Sequence, residues 1–415
     1  MKFNANVVNG LSLMAIQGAN ALFPLLVFPY LLGVLGADAF AELVVAEAIA
    51  FYVLAVCLYS FDTSGVLAII EARSQSEKLK EAGCFFNIIS SRIALFFISS
   101  LPLVSIYYLL VDGNVAILLA WLAFVLGMIL QNNYYFQAIE NNWLLAAIVL
   151  CSRFSGVVAI YLFVDGEEDV LLASTILGGS FLFSGMAAFI ILLSRFGLNS
   201  VRLVSARAII TLLYEGRHLF FGNVSVTLFR GANVLILAGV SSSAAVSTYA
   251  LAEKVIKSIQ ALARPLNQLF VPKAVKAWSL LSIEKKSDQQ AFALIWKNTR
   301  IQLFLMLFIL PVGVISIYVA HIWWGIAGFI DETVVLIALM APAVMFGVAN
   351  AMFGAIGLSL IGAQSYFASA VFFVGVFIFL FSVIMSHYYA AFGAATAFVL
   401  GEMLLIMSFF WKYKK

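Results

Sequence analysis

Apolar windows of about 20 residues with few charges recur along the whole chain, each long enough to cross a bilayer as a helix. Twelve can be read, at roughly 9–33, 40–63, 84–110, 114–137, 143–164 and 169–195, then roughly 213–239, 245–272, 299–322, 333–357, 364–386 and 390–411. The pattern predicts an all-α polytopic membrane protein with about 12 transmembrane helices. The loops give its orientation. Lys2, Arg73, Lys78, Lys80, Arg202, Arg207, Lys273, Lys276, Lys285, Lys286, Lys297, Lys412, Lys414 and Lys415 all fall on one side. The short opposite loops hold only acids, among them Asp38, Asp112, Asp165, Glu167, Glu168, Asp331 and Glu332. By the positive-inside rule the basic side is cytoplasmic, so both termini are expected there.

Composition agrees: 64% of residues are hydrophobic and 10% charged, the balance of a polytopic membrane protein rather than of a large soluble core. The net charge of +3 follows from the basic loops, and no soluble basic face is available for a nucleic-acid partner. Lys2 precedes a long apolar stretch, but Gln17, Asn20, Pro24 and Pro29 interrupt it, so it reads as the first helix and not as a leader. Cys57, Cys84 and Cys151 are odd in number and lack CxxC spacing, which points to neither a disulfide framework nor a zinc site. No cofactor is expected.

One window breaks the apolar pattern. The eighth, 245–272, carries Lys254, Lys257 and Arg264, which at about 100° per residue fall within an arc of roughly 80°, with Gln268 on the same stripe. Each cation costs about 2.5–3.5 kcal/mol at a helix centre, so the stripe is expected to line a wet, positively charged cavity. If this segment lay flat on the membrane, the most basic loop would land on the trans side. Short internal matches place the cavity: Ala46-Glu47-Ala48-Ile49 recurs as Ala252-Glu253-Lys254-Val255-Ile256, and Gly18-Ala19-Asn20 as Gly231-Ala232-Asn233. Six windows per half then predict two six-helix lobes, 1–200 and 201–415, around a central cationic cavity.

Other polar residues within the windows are sorted against this frame. Asn223, Thr227 and Arg230 share one face of the seventh helix and are expected opposite Lys254. Arg92 and Arg153 either add cations from the first lobe or pair with an acid or the interface. Gln17 and Asn20 of the first helix are candidates for a polar, sugar-facing wall. Glu47, Glu253 and Glu402 are the deep acids and the candidates for ion coupling; Glu253 also reaches Lys257 at i+4, and Glu402 is either a proton site or a hydrogen-bonded core group. His218, His321 and His387 read as interfacial. Tyr134, Tyr135 and Phe136 beside Gln131, Asn132, Asn133 and Gln137 suit either a sugar surface or an aromatic membrane belt.

These residues carry a resemblance. Pro29-Tyr30-Leu31 with Leu35-Gly36 and Phe40, Ser60-Phe61-Asp62-Thr63-Ser64 leading to Arg73, Phe136-Gln137-Ala138-Ile139-Glu140, and Tyr249 with Ala252-Glu253-Lys254, Pro265 and Pro272 are similar to the O-antigen and polysaccharide flippases of the multidrug/oligosaccharidyl-lipid/polysaccharide exporter superfamily. The chain departs from that pattern at Gly33, Ala41, Tyr134 and Ala138. The resemblance implies a transporter, not an enzyme, that moves an undecaprenyl-pyrophosphate-linked oligosaccharide to the outer leaflet of a bacterial inner membrane by alternating access, beside a polysaccharide polymerase and a chain-length regulator. Three rivals remain at this point, one of them a peptidoglycan-precursor flippase, which should have more helices than the twelve counted. A multidrug exporter of the same superfamily would meet a first helix with no acid, and a membrane enzyme of polysaccharide assembly would need larger outer loops.

Overall fold

The computed structural model describes residues 5–74, 78–111, 114–261, 287–324 and 331–414, with Ala274, Lys276, Ala277, Trp278 and Leu280. All regular structure among them is helical. Seven helical stretches are long and apolar enough to cross a membrane, or eight if a bent pair at Asp288–Ile315 is one span. Their outer faces are those of lipid-contacting helices: Phe304, Phe308 and Val312, at i, i+4 and i+8, are each about 60% exposed.

The first helix, α1 (Ala5–Leu58), has 54 residues. At 1.5 Å per residue a straight run of that length would be about 80 Å long, more than twice a hydrocarbon core of about 30 Å. It is not straight. Gly36 takes φ 73°, in the left-handed region that favours glycine, and the rings of Phe28 and Phe40 stand 5.8 Å apart. Residues twelve apart on a straight helix would be about 18 Å apart, so the chain doubles back at Gly36 and supplies two apolar lengths. The last helix, α12 (Gln364–Lys414), repeats the device at Ala390 (φ 47°), after which Gly393 lies against the Met385 carbonyl.

Between them run α2 (Phe61–Ser74), α3 (Lys78–Ile106), α4 (Val115–Gln131), α5 (Asn133–Ala138), α6 (Asn142–Phe163), α7 (Val170–Phe196), α8 (Ala206–Val240), α9 (Ser243–Ala261), α10 (Asp288–Trp324) and α11 (Asp331–Asn350). Two findings differ from the sequence pattern. Residues 61–74 form a separate helix where a loop was expected, because Phe61, Gly65, Ile69 and Ala72 give it a buried face too short for a spanning window. The fourth span ends at Asn132, whose left-handed φ of 49° terminates α4 and sets off the one-and-a-half-turn α5.

The chain divides into two compact units. The first comprises 1–23 and 42–227, the second 24–41 and 228–415. In the first unit α4 and α7 touch backbone to backbone: a Cβ at Gly178 would fall on the Ala120 carbonyl, and one at Gly185 on that of Gly127. The rings of Phe85, Tyr135 and Phe196 close 5.2–5.6 Å apart and tie α3, α5 and α7 together. In the second unit α9 packs against α11 and α12, and Gln260 of α9 fills the space a side chain at Gly347 would need.

Candidate functional site

The first unit holds two buried arginines in opposite situations. Arg92 of α3 is 1% exposed, donates to Asp62 Oδ1 at 2.7 Å and lies 4.9 Å from the Tyr134 ring centroid. Its charge is thus answered by an acid at the start of α2, and the pair accounts for its burial without a ligand. Arg153 of α6 is 3% exposed and is met by neutral groups. Its Nε donates to Asn20 Oδ1 at 3.2 Å, one terminal nitrogen donates to Ser180 Oγ at 3.4 Å, and the guanidinium carbon sits 3.3 Å from the Phe181 ring centroid. Among the described residues no carboxylate comes within ion-pair distance of it, and its Nη2 has no hydrogen-bond partner. One turn before Asn20 on α1, the buried Gln17 Oε1 also lacks a partner. A guanidinium held in this way carries its charge and at least one free donor into an apolar interior, which is what an anionic ligand requires.

The second unit carries the α9 charges. Lys254 is half-buried with Nζ 3.8 Å from the centroid of the Phe28 ring. Lys257 is more exposed and pairs with Glu253 at 3.1 Å, the i,i+4 pairing that the spacing allows. Glu253 is the end of a buried chain: the Tyr249 hydroxyl donates to it at 3.3 Å, Asn233 Nδ2 donates to Tyr249 at 2.8 Å, and Ser382 donates to Asn233 Oδ1 at 2.8 Å. The chain joins α8, α9 and α12. Glu402 on α12 is 1% exposed and accepts from Asn350 Nδ2 at 2.6 Å; the same amide also bonds the Glu402 main-chain oxygen at 2.9 Å.

The structure therefore brings Asn20 to Arg153, and Glu253 to Lys257. Glu47 is buried in α1, and Gln137 is exposed at the end of α5. Arg264 and Gln268 lie outside the described residues; Asn223 and Arg230 belong to α8, of which only the helical backbone is described there. The Tyr134–Phe136 cluster needs correction, since all three side chains are fully buried and face neither sugar nor a membrane belt. Tyr135 instead donates to Glu81 Oε1 at 2.5 Å, and the Tyr134 ring fills the space beside Gly65. Sequence reasoning passed over Ser180, Phe181, Asn350 and Ser382, whose partners are 27 to 149 residues away. Asn233 gave one signal, a lone amide in an otherwise apolar run.

Residues 7–278 match the model of a family described as polysaccharide biosynthesis protein. A protein of Escherichia coli (strain K12), named as a candidate O-antigen transporter, is 27% identical over 269 residues, which span 64% of this chain and 64% of that relative's length. A Shigella dysenteriae protein of the same name is 23% identical over 65% of this chain and 67% of its own. Among solved structures, an inward-facing multidrug resistance MATE family transporter of the MOP superfamily superposes with TM-score 0.69 at 13% identity, covering 94% of this chain and 93% of that one. The lipid II flippase MurJ, inward closed, superposes with TM-score 0.62 at 12% identity, covering 99% and 88%. These two likenesses establish the fold. The chain belongs to the polysaccharide biosynthesis protein family of membrane proteins and has the helical fold of MOP superfamily transporters.

Proposed function

We propose that the protein is a transporter that flips an undecaprenyl-pyrophosphate-linked oligosaccharide, an O-antigen or related repeat unit, from the cytoplasmic to the periplasmic leaflet of a bacterial inner membrane. In this reading twelve spans form two six-helix lobes, 1–200 and 201–415, about a cationic cavity, with both termini cytoplasmic. The observation that carries it is Arg153, a buried guanidinium answered, among the described residues, by an amide, a hydroxyl and the rings of Phe23 and Phe181. These neutral partners offset a burial cost of about 3 kcal/mol without neutralising the charge, and a pyrophosphate is a ligand that would neutralise it through charge-assisted, forked hydrogen bonds. Lys254, with Arg230 before it and Arg264 after it in the chain, supplies cations from the second lobe; Gln17, Asn20, Asn223, Gln268 and Gln137 offer hydrogen bonds to sugars. The isoprenoid tail stays in the bilayer. Pro24 and Pro29, inside α1, are the bending points for alternating access.

The candidate O-antigen transporters among the relatives and the lipid flippase among the fold neighbours support the same cargo class. Coupling to an ion is assigned to Glu402, the most deeply buried of the three acids, with Glu47 and Glu253 as the other candidates. The experiment is to delete the gene and measure lipid-linked oligosaccharides on each face of the inner membrane. Accumulation of one pyrophosphate-linked unit on the cytoplasmic face, reversed by the wild-type gene and not by Arg153→Gln at equal abundance, is the expected result. Deletion without any such accumulation would remove the proposal.

A further inference from the structure

A second place in the first unit is shaped for a ligand and has no part in the cargo path described above. Where α3 and the start of α8 meet, a cleft of about 490 Å³ opens at the end of the helices. Asn87 builds it: its Nδ2 donates to the Gly83 carbonyl at 2.7 Å, and its Oδ1 accepts the Ser205 backbone N–H at 2.9 Å, fixing the segment that leads into α8. Thr211 closes one side by donating to the Arg207 carbonyl at 3.0 Å. Those bonds occupy the amide and the threonine. The Arg207 side chain is exposed and, among the described residues, has no carboxylate at ion-pair distance; the Ser205 hydroxyl is exposed beside it. The remaining wall is apolar, made by Cys84, Ala208 and Leu212.

The surroundings are amphipathic in the same sense. Leu203 packs 3.8 Å from where a Gly83 side chain would start, which brings Arg202 close to the rim, and Glu71 lies within electrostatic reach of Cys84. Ile210 and Leu79 are 67% and 70% exposed. A cleft with one free guanidinium and a hydroxyl at its polar end, an apolar floor, Arg202 on its flank and the exposed Leu79 and Ile210 on the same two helices suits a ligand with a phosphate joined to a hydrocarbon. A free phosphate would leave the apolar floor uncovered.

We propose that this cleft docks an anionic glycerophospholipid, its phosphate on Arg207 and Ser205 and the start of an acyl chain on Ala208, Leu212 and Cys84. The inference stands whatever cargo the transporter moves. Cys84 makes it testable, since Cys57→Ser and Cys151→Ser leave it as the single thiol. In nanodiscs, raising phosphatidylglycerol from none to about 30 mol% in phosphatidylcholine should slow labelling of Cys84 by an uncharged maleimide about threefold or more. Arg207→Lys should keep this protection and Arg207→Gln should lose it at the same lipid composition, which cancels any general effect of surface charge. In native mass spectrometry the full protein should retain one phosphatidylglycerol more than Arg207→Gln, and this count decides the matter if Cys84 is unreactive in every bilayer. Equal protection and equal lipid retention in Arg207→Gln would overturn the proposal. So would protection by undecaprenyl phosphate in a neutral bilayer where phosphatidylglycerol gives none, which would make the cleft a carrier-lipid site.

Discussion

Arg153→Met separates a functional charge from a structural one. The arginine gains two hydrogen bonds to neutral partners, at 3.2 and 3.4 Å, and a close contact with the Phe181 ring. Each bond to a charged group is worth about 1.5–3 kcal/mol at good geometry, less at these lengths, and the ring contact about 2 kcal/mol when desolvated. Against this gross gain of about 4–5 kcal/mol stands a burial cost of about 3 kcal/mol on insertion scales and more on others. The terms nearly cancel, so methionine, unbranched and uncharged though two atoms shorter, should change the unfolding free energy by no more than about 2 kcal/mol in either direction. Transport should respond differently. Losing one charge-assisted contact to a pyrophosphate removes about 1.5–3 kcal/mol, a fall of about 10- to 100-fold in flipping. Arg153→Lys should lie between, keeping charge but not the fork. Dodecyl sulfate unfolding in mixed micelles measures the first quantity, and flipping of a labelled lipid-linked oligosaccharide in vesicles the second. A stable variant with near wild-type flipping refutes the ligand role; a loss of more than about 3 kcal/mol in stability shows that the arginine is part of the scaffold.

Gly178→Ala should destabilise the first unit by at least about 2 kcal/mol because its Cβ would meet the Ala120 carbonyl, whereas Gly179→Ala, which meets nothing within 4 Å, should stabilise α7 by about 0.5–1 kcal/mol; equal effects in the unfolding titration would contradict the backbone contact. Lys257→Gln strands a carboxylate that is 8% exposed and should cost about 1–2 kcal/mol. Adding Glu253→Gln should return most of that loss, and strictly additive losses would show that the two do not act as a pair. Glu402→Gln keeps the Asn350 bond to the main-chain oxygen and should therefore insert and fold. Flipping in this variant should lose its dependence on an imposed ion gradient, and an unchanged gradient dependence would exclude Glu402 as the coupling group.

Hydropathy made the long helices legible because membrane burial is set by composition over about 20 residues. It failed where a local feature decides: the reversal of α1 rests on one glycine conformation, and the short α2 and the first turn of α8 are too polar to enter an apolar window. Charged residues were legible as unusual, and their partners were legible only when helical spacing supplied them. Glu253 and Lys257 are four apart; Arg92 and Asp62 are 30 apart, and Arg153 and Asn20 are 133 apart. The two asparagines matched as an internal repeat, Asn20 and Asn233, both prove to be hydrogen-bonding groups, the first half-buried on an arginine and the second buried between a tyrosine and a serine. No pattern along the chain distinguishes Arg92, neutralised by an acid, from Arg153, which is left with neutral neighbours.

The central claim is that a pyrophosphate on a lipid is what the protein recognises and moves. Purified protein in vesicles, given an undecaprenyl-pyrophosphate-linked oligosaccharide in one leaflet and the same glycan joined to the same isoprenoid through an uncharged linkage, tests it directly. The account predicts that the pyrophosphate lipid reaches the other leaflet at least about tenfold faster than in protein-free vesicles and that the uncharged lipid does not. Equal movement of both lipids, or of neither, would contradict it.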